Sequence, residues 1–152
     1  LTLLVLEDGQ QQACFTNKNA PQDGLYPQAD TDGIWQWLCT TLSTYPRTGE
    51  IAALIVTTHG ATAALVNHNA QDRNTALVLP VVDYEFDGVE GCNDDYAGVR
   101  PDFSETLSPQ LPAGLNLGRQ LFWLQHKFAE AFASVTHILM LSRDKKYNKV
   151  SR

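Results

Sequence analysis

Apolar positions along the chain fall into runs separated by polar, glycine- and proline-bearing stretches, and the spacing within each run predicts its element. LTLLVLEDGQQQACF places an apolar stretch and a shorter one on either side of Asp8-Gly9, the pattern of a β-hairpin. TNKNAPQDGLYPQ reads as loop. Ile34, Trp35, Leu38, Leu42 and Tyr45 then recur at helical spacing behind the N-cap choices Asp30, Thr31 and Asp32, and Pro46 stops the run. EIAALIVTT is continuously apolar and of strand length, which predicts a buried, parallel, central strand. ATAALV predicts a further strand. TALVLPVVDYE predicts another, with Pro80 making its second half an edge or a strand end. FDGVEGCNDDYAGVRPDFSETLSPQLPAG reads as one long loop, of a length that usually serves a site or an interface. LNLGRQLFWLQHKFAEAFASV predicts the strongest helix, with Leu117, Leu121, Trp123, Leu124, Phe128, Phe132 and Val135 as its apolar stripe. Hairpin, helix and buried strand in that order predict an α/β domain.

Composition narrows the setting. The 152 residues suffice for one domain with a core, and 43% apolar against 18% charged residues is an ordinary globular mix. No apolar stretch approaches the ~20 residues that span a bilayer, and the first residues show no signal-peptide pattern. Cys14, Cys39 and Cys92 are odd in number and form no CxxC pair, so a disulfide framework is not expected and a reducing cytoplasm is. Net charge is −6, from 11 basic and 17 acidic residues, which argues against a nucleic-acid partner.

Two strand ends carry candidate chemistry. Thr57, Thr58 and His59 stand beside Gly60 at the lip of the apolar run, where a turn alone needs only the glycine. Ligands of open α/β sheets collect beyond strand carboxyl ends, and imidazole and hydroxyls there suit a polyhydroxylated guest. A partly exposed turn histidine is the plainer alternative. Asp83 and Tyr84 end the next apolar strand, where the carboxylate could fix a sugar hydroxyl and the ring could pack on CH groups; a solvated turn is again the alternative. His68 and His126 read as solvent-facing, His137 as packed or capping, and Trp35, Trp37 and Trp123 as core. No spacing supports a metal site or a phosphate loop of the GxGxxG or Walker type.

IAALIVTTHGATAALVN, LVLPVVDYEFDG and SPQLPAGLNLGRQLFWLQHKFAEAF, in that order, closely resemble the N-terminal half of FGGY-family carbohydrate kinases over residues 1 to about 141. The resemblance implies a ribonuclease-H-like (actin-like ATPase) fold: a mixed sheet flanked by helices, lacking its first strand and second domain, followed by a basic tail at 142–152. It implies ATP and Mg²⁺ as cosubstrates, a ketose or polyol as phosphoryl acceptor, and His59 and Asp83 as hydroxyl-binding residues. Trp123 takes the place of the family's signature tryptophan, and Gln120 stands where the family carries a lysine. The family's phosphate-cradling hairpin and catalytic aspartate have no counterpart here, so the expectation is a kinase fragment with no catalytic residue of its own, acting on a small-molecule sugar, with a homodimer left open. Two rivals remain open: a non-catalytic sugar-binding or interaction module of the same half-fold, and a small metal-dependent hydrolase using His59, Asp83 and His68.

Overall fold

The computed structural model describes residues 1–58, 60–71 and 76–140. His59 and the 142–152 tail therefore lie outside the described residues. The hairpin is as the sequence predicts: β1 (Thr2–Glu7) pairs antiparallel with β2 (Gln10–Thr16). Asp8 and Gly9 turn it with φ of 50° and 77°, values that a hairpin turn of this twist demands and that glycine and aspartate tolerate. Helix α1 (Thr31–Thr44) starts on the Asp30 side chain, whose Oδ1 accepts the Gly33 N–H at 2.8 Å, and ends before Pro46. Arg47, just beyond, forks onto both oxygens of Glu7 at 3.0 and 3.1 Å and also reaches Glu50, tying the helix exit to the hairpin. The guanidinium holds the Glu7 carboxyl below its ordinary pKa, first by hydrogen bonding and then by charge.

The second sheet has three strands, β4 (Leu77–Leu79), β3 (Ala63–Val66) and β5 (His137–Met140), in the order β4-β3-β5, antiparallel throughout. Central β3 is the most buried, and Pro80 ends β4 as its missing N–H requires. The segment 51–58 departs from expectation. It is not a strand, and Ile55 is 87% exposed. An apolar run becomes a central strand only where neighbours pair with it on both edges, and no described strand does so. The parallel pairing expected of it is absent among the described residues.

A second departure lies in the long connection between β4 and the helical stripe. Residues 86–116 hold a 3₁₀ stretch at Asp87–Cys92, helix α2 (Asn93–Val99), the single turn α3 (Phe103–Thr106) and a 3₁₀ turn at Ala113–Leu115. The stripe itself divides into α4 (Leu117–Lys127) and α5 (Ala129–Phe132), because Phe128 leaves helical geometry at φ −130°, ψ 48°. Its ring sits 5.6 Å from Tyr26 and 5.8 Å from Trp123, so aromatic packing offsets the interrupted backbone ladder.

The core lies between the three-stranded sheet and α4, from Tyr26, Leu65, Leu79, Val82 and Leu124, with Phe86, Leu121, Trp123 and Phe128 packed around them. Trp123 is thus structural, as expected; Trp35, at 48% exposure, is not in the core. Tyr26 reaches out of its loop to donate its hydroxyl to Pro80 O at 2.6 Å, and burial pushes its phenol pKa well up. Ala29 N–H to Val81 O (2.8 Å) and Asp83 N–H to Pro27 O (3.0 Å) lay this segment alongside the chain that leaves β4. Tyr26→Phe keeps the ring and removes one buried hydrogen bond, so it is expected to cost about 1 kcal/mol, read as a lowered urea midpoint at unchanged slope.

Candidate functional site

A cavity of about 500 Å³ opens beside the Gly60–Ala61 turn. One wall is that turn. Tyr96 and Arg100 form a second, one helical turn apart at the end of α2 and therefore on the same face. Ser108 and Leu111 supply a third, and Leu115 to Gly118, leading into α4, close it. The Tyr96 hydroxyl lies so near Gly118 that a methyl group there would overlap it, which explains the glycine in the first turn of the helix. Arg100 donates from Nη2 to Ser108 O. Asn116 gathers its own loop, accepting Leu111 N–H at Oδ1 (2.7 Å) and donating from Nδ2 to Pro109 O (3.1 Å).

Beneath the cavity, two adjacent residues of α4 are buried although both are polar: Arg119 and Gln120, each 2% exposed. Arg119 donates to Asn93 Oδ1 (2.8 Å), Leu111 O (2.5 Å) and Ala113 O, so one side chain ties α2, the loop and α4 together. Gln120 Nε2 donates to Ala61 O at 2.6 Å and to Gly114 O. Gly114 N–H in turn donates to Tyr84 O at 3.1 Å. A continuous hydrogen-bonded path therefore runs from the Gly60–Ala61 turn through Gln120 and Gly114 to the Asp83–Tyr84 turn.

That path connects the two turns singled out in the sequence, neither of which ends a strand in the structure. Thr57 and Thr58 are on the exposed segment before the turn; His59 lies outside the described residues. Asp83 and Tyr84 are half-buried, and neither lines the cavity. Asp83 Oδ1 faces the Glu85 N–H of its own turn at 3.4 Å. Tyr84 donates its hydroxyl to Glu85 Oε1 at 3.2 Å, and this bond and the carboxylate's charge raise the phenol's pKa. His68 packs its ring 5.4 Å from that of His137. Among the described residues no three His, Cys, Asp or Glu side chains converge as metal ligands, and the three cysteines are free.

The sequence reading missed Tyr96, Arg100 and Ser108, all inside the stretch taken as loop. A signal was present: Tyr96 and Arg100 are four apart in YAGVR, the spacing that brings two side chains to one face of a helix.

No protein-family model matches the chain, and no curated protein sequence matches it. The crystal structure of a carbohydrate kinase from Novosphingobium aromaticivorans does match, with a TM-score of 0.70 at 29% sequence identity over 89% of this chain. The chain shares part of a carbohydrate-kinase fold. It spans only 28% of that kinase's length, so the likeness concerns one portion of a larger molecule. No helix among the described residues is long and apolar enough to cross a membrane.

Proposed function

We propose that residues 1–141 are the sugar-binding portion of a longer FGGY-family, ribonuclease-H-like carbohydrate kinase, which transfers a phosphoryl group from ATP to a hydroxyl of a ketose or polyol. The observation that carries this reading is the match, at 29% identity and over 89% of the chain, to a solved carbohydrate kinase. The cavity at Gly60–Ala61 supports it, because its size is that of a small-molecule pocket and hydroxyl, guanidinium and backbone groups line it. In this reading ATP and Mg²⁺ are held by parts of the parent polypeptide outside these residues, as is the base that takes the acceptor's proton. Phosphoryl transfer is largely positioning and charge stabilisation, so the task left to this portion is to hold the acceptor still. Thr57, Thr58 and His59, which precede the Gly60–Ala61 turn, and Asp83 and Tyr84, which lie outside the cavity lining, are the proposed hydroxyl readers. A polar group that the bound sugar desolvates and leaves unpaired costs about 1–3 kcal/mol, so a sugar lacking the matching hydroxyl is rejected.

The test is a phosphorylation screen of ketoses and polyols with the complete reading frame, followed by His59→Ala in that protein. The expected result is a rise of about tenfold in KM for the sugar with KM for ATP unchanged. An unaltered sugar KM removes His59 from the site. Sugar binding without phosphorylation of any sugar favours a non-catalytic binding module.

A further inference from the structure

We propose that the polyol taken by the Gly60–Ala61 cavity carries a carboxylate, and that Arg100 is the residue that selects it. The inference rests on the reading of this cavity as a sugar site and names the substrate class. Three arginines fall among the described residues, and they are used differently. Arg47 is paired with Glu7 and Glu50 at the surface. Arg119 is buried and spends its guanidinium on Asn93, Leu111 and Ala113. Arg100 lines the cavity, donates to Ser108 O, and has no carboxylate within ion-pair distance among the described residues. A guanidinium has five N–H donors in a fixed fork, so most of its capacity remains for a guest.

Among the described residues no acidic side chain of the same stretch is paired with it. Glu90 accepts the Ala113 N–H at 2.6 Å, and Asp102 accepts both the N–H and the hydroxyl of Ser104. Asp94 and Asp95 are exposed in the first turn of α2, whereas Arg100 follows its last. A cation on a cavity wall, flanked by the Tyr96 ring and by Ser108, is the receptor for a planar, singly charged anion, which a guanidinium meets bidentately. A phosphate dianion would leave excess negative charge on one guanidinium in a protein whose net charge is already −6. A carboxylate matches it. The rest of an acyclic sugar acid then extends toward the Gly60–Ala61 backbone, within a volume of about 500 Å³.

The experiment titrates the protein of the complete reading frame, isotope-labelled at glycine and alanine, with D-gluconate, with D-glucitol as the neutral analogue of the same carbon number, and with inorganic phosphate. Gluconate is expected to shift the Gly60 and Ala61 amide signals with about tenfold higher affinity than glucitol, the increment of one charge-assisted hydrogen-bonded pair. Arg100→Gln should abolish that preference, and Arg100→Lys should retain part of it. Equal binding of gluconate and glucitol overturns the inference while leaving the polyol site intact. A preference that survives in Arg100→Gln overturns the assignment to Arg100. Tighter binding of phosphate than of gluconate at the same amides overturns the carboxylate. Silence of those amides toward all three ligands ends both this inference and the sugar-site reading. The wild-type comparison decides the matter even where a variant fails to fold.

Discussion

Replacing Arg119 by methionine is expected to lower the stability of the protein by about 3 kcal/mol. Two effects oppose each other. Removing a buried cation recovers its desolvation cost, and here Arg119 Nε has no hydrogen-bond partner, so part of that cost is uncompensated in the native protein. Against this stand three acceptors that lose their donor: Asn93 Oδ1, Leu111 O and Ala113 O. Two are backbone carbonyls, which no second substitution can make apolar. Leu111 is 38% exposed and can regain water; Asn93 and Ala113 are half-buried and recover less. Stranded acceptors at about 1–3 kcal/mol each therefore outweigh the relief. Arg119→Lys should lose a smaller share, because an ammonium is a point charge and cannot fork to three acceptors at once. Urea unfolding gives the magnitude. Hydrogen exchange gives the place: amides of 108–116 should exchange faster while those of β3 do not. A methionine variant with wild-type midpoint and unchanged exchange in 108–116 would show that the clamp does not organise the cavity wall.

What could be read from the sequence was what is decided locally. The Asp8-Gly9 hairpin and the Asp30 cap of α1 are settled by residues within a few positions of one another, and both are found as expected. Pro80 ends β4 for a reason intrinsic to proline. The misreadings share a cause, which is dependence on distant partners. Residues 51–58 have a strand's composition, but a ladder needs neighbours, and composition does not reveal which strands will be adjacent. The helix break at Phe128 is set by Tyr26 and Trp123, the first of which lies far away in sequence. In 86–116 the density of Gly, Pro and Asp hid four short helical pieces, and with them Tyr96 and Arg100. Of the candidate site, the turn at Gly60 was visible, whereas Asp83 and Tyr84 lie outside the cavity lining. The Gln120–Gly114 path that links the two turns was not, since a buried glutamine on a helix face reads as a polar surface position until its acceptors are known.

Gly114→Ala is expected to cut that link, at a cost of about 2–3 kcal/mol. Gly114 is buried, and a Cβ built on it would lie 2.8 Å from Tyr84 O and 3.2 Å from Gln120 Nε2. The two contacts differ in what can yield. The Gln120 amide could swing away, but only by releasing Ala61 O, to which it donates at 2.6 Å. The Tyr84 carbonyl belongs to the backbone, so relieving that contact separates the Ala113–Leu115 turn from the Asp83–Tyr84 turn and stretches the bond Gly114 N–H makes to that same oxygen, now 3.1 Å. The backbone angles are not the obstacle, since Gly114 is not among the residues with positive φ. Close approach is. The variant should therefore remain folded, with its sheet intact, while the cavity wall loosens. The discriminating measurement is a pair: exchange of the Gln120 side-chain amide, which donates to Ala61 O, and of the residue-114 N–H, which donates to Tyr84 O. If the path through Gln120 couples the two turns, a methyl group at position 114 should speed exchange of both. Faster exchange of the residue-114 N–H alone would mean that the turns are held independently, and that any ligand spanning them meets two separately adjustable walls instead of one braced cradle.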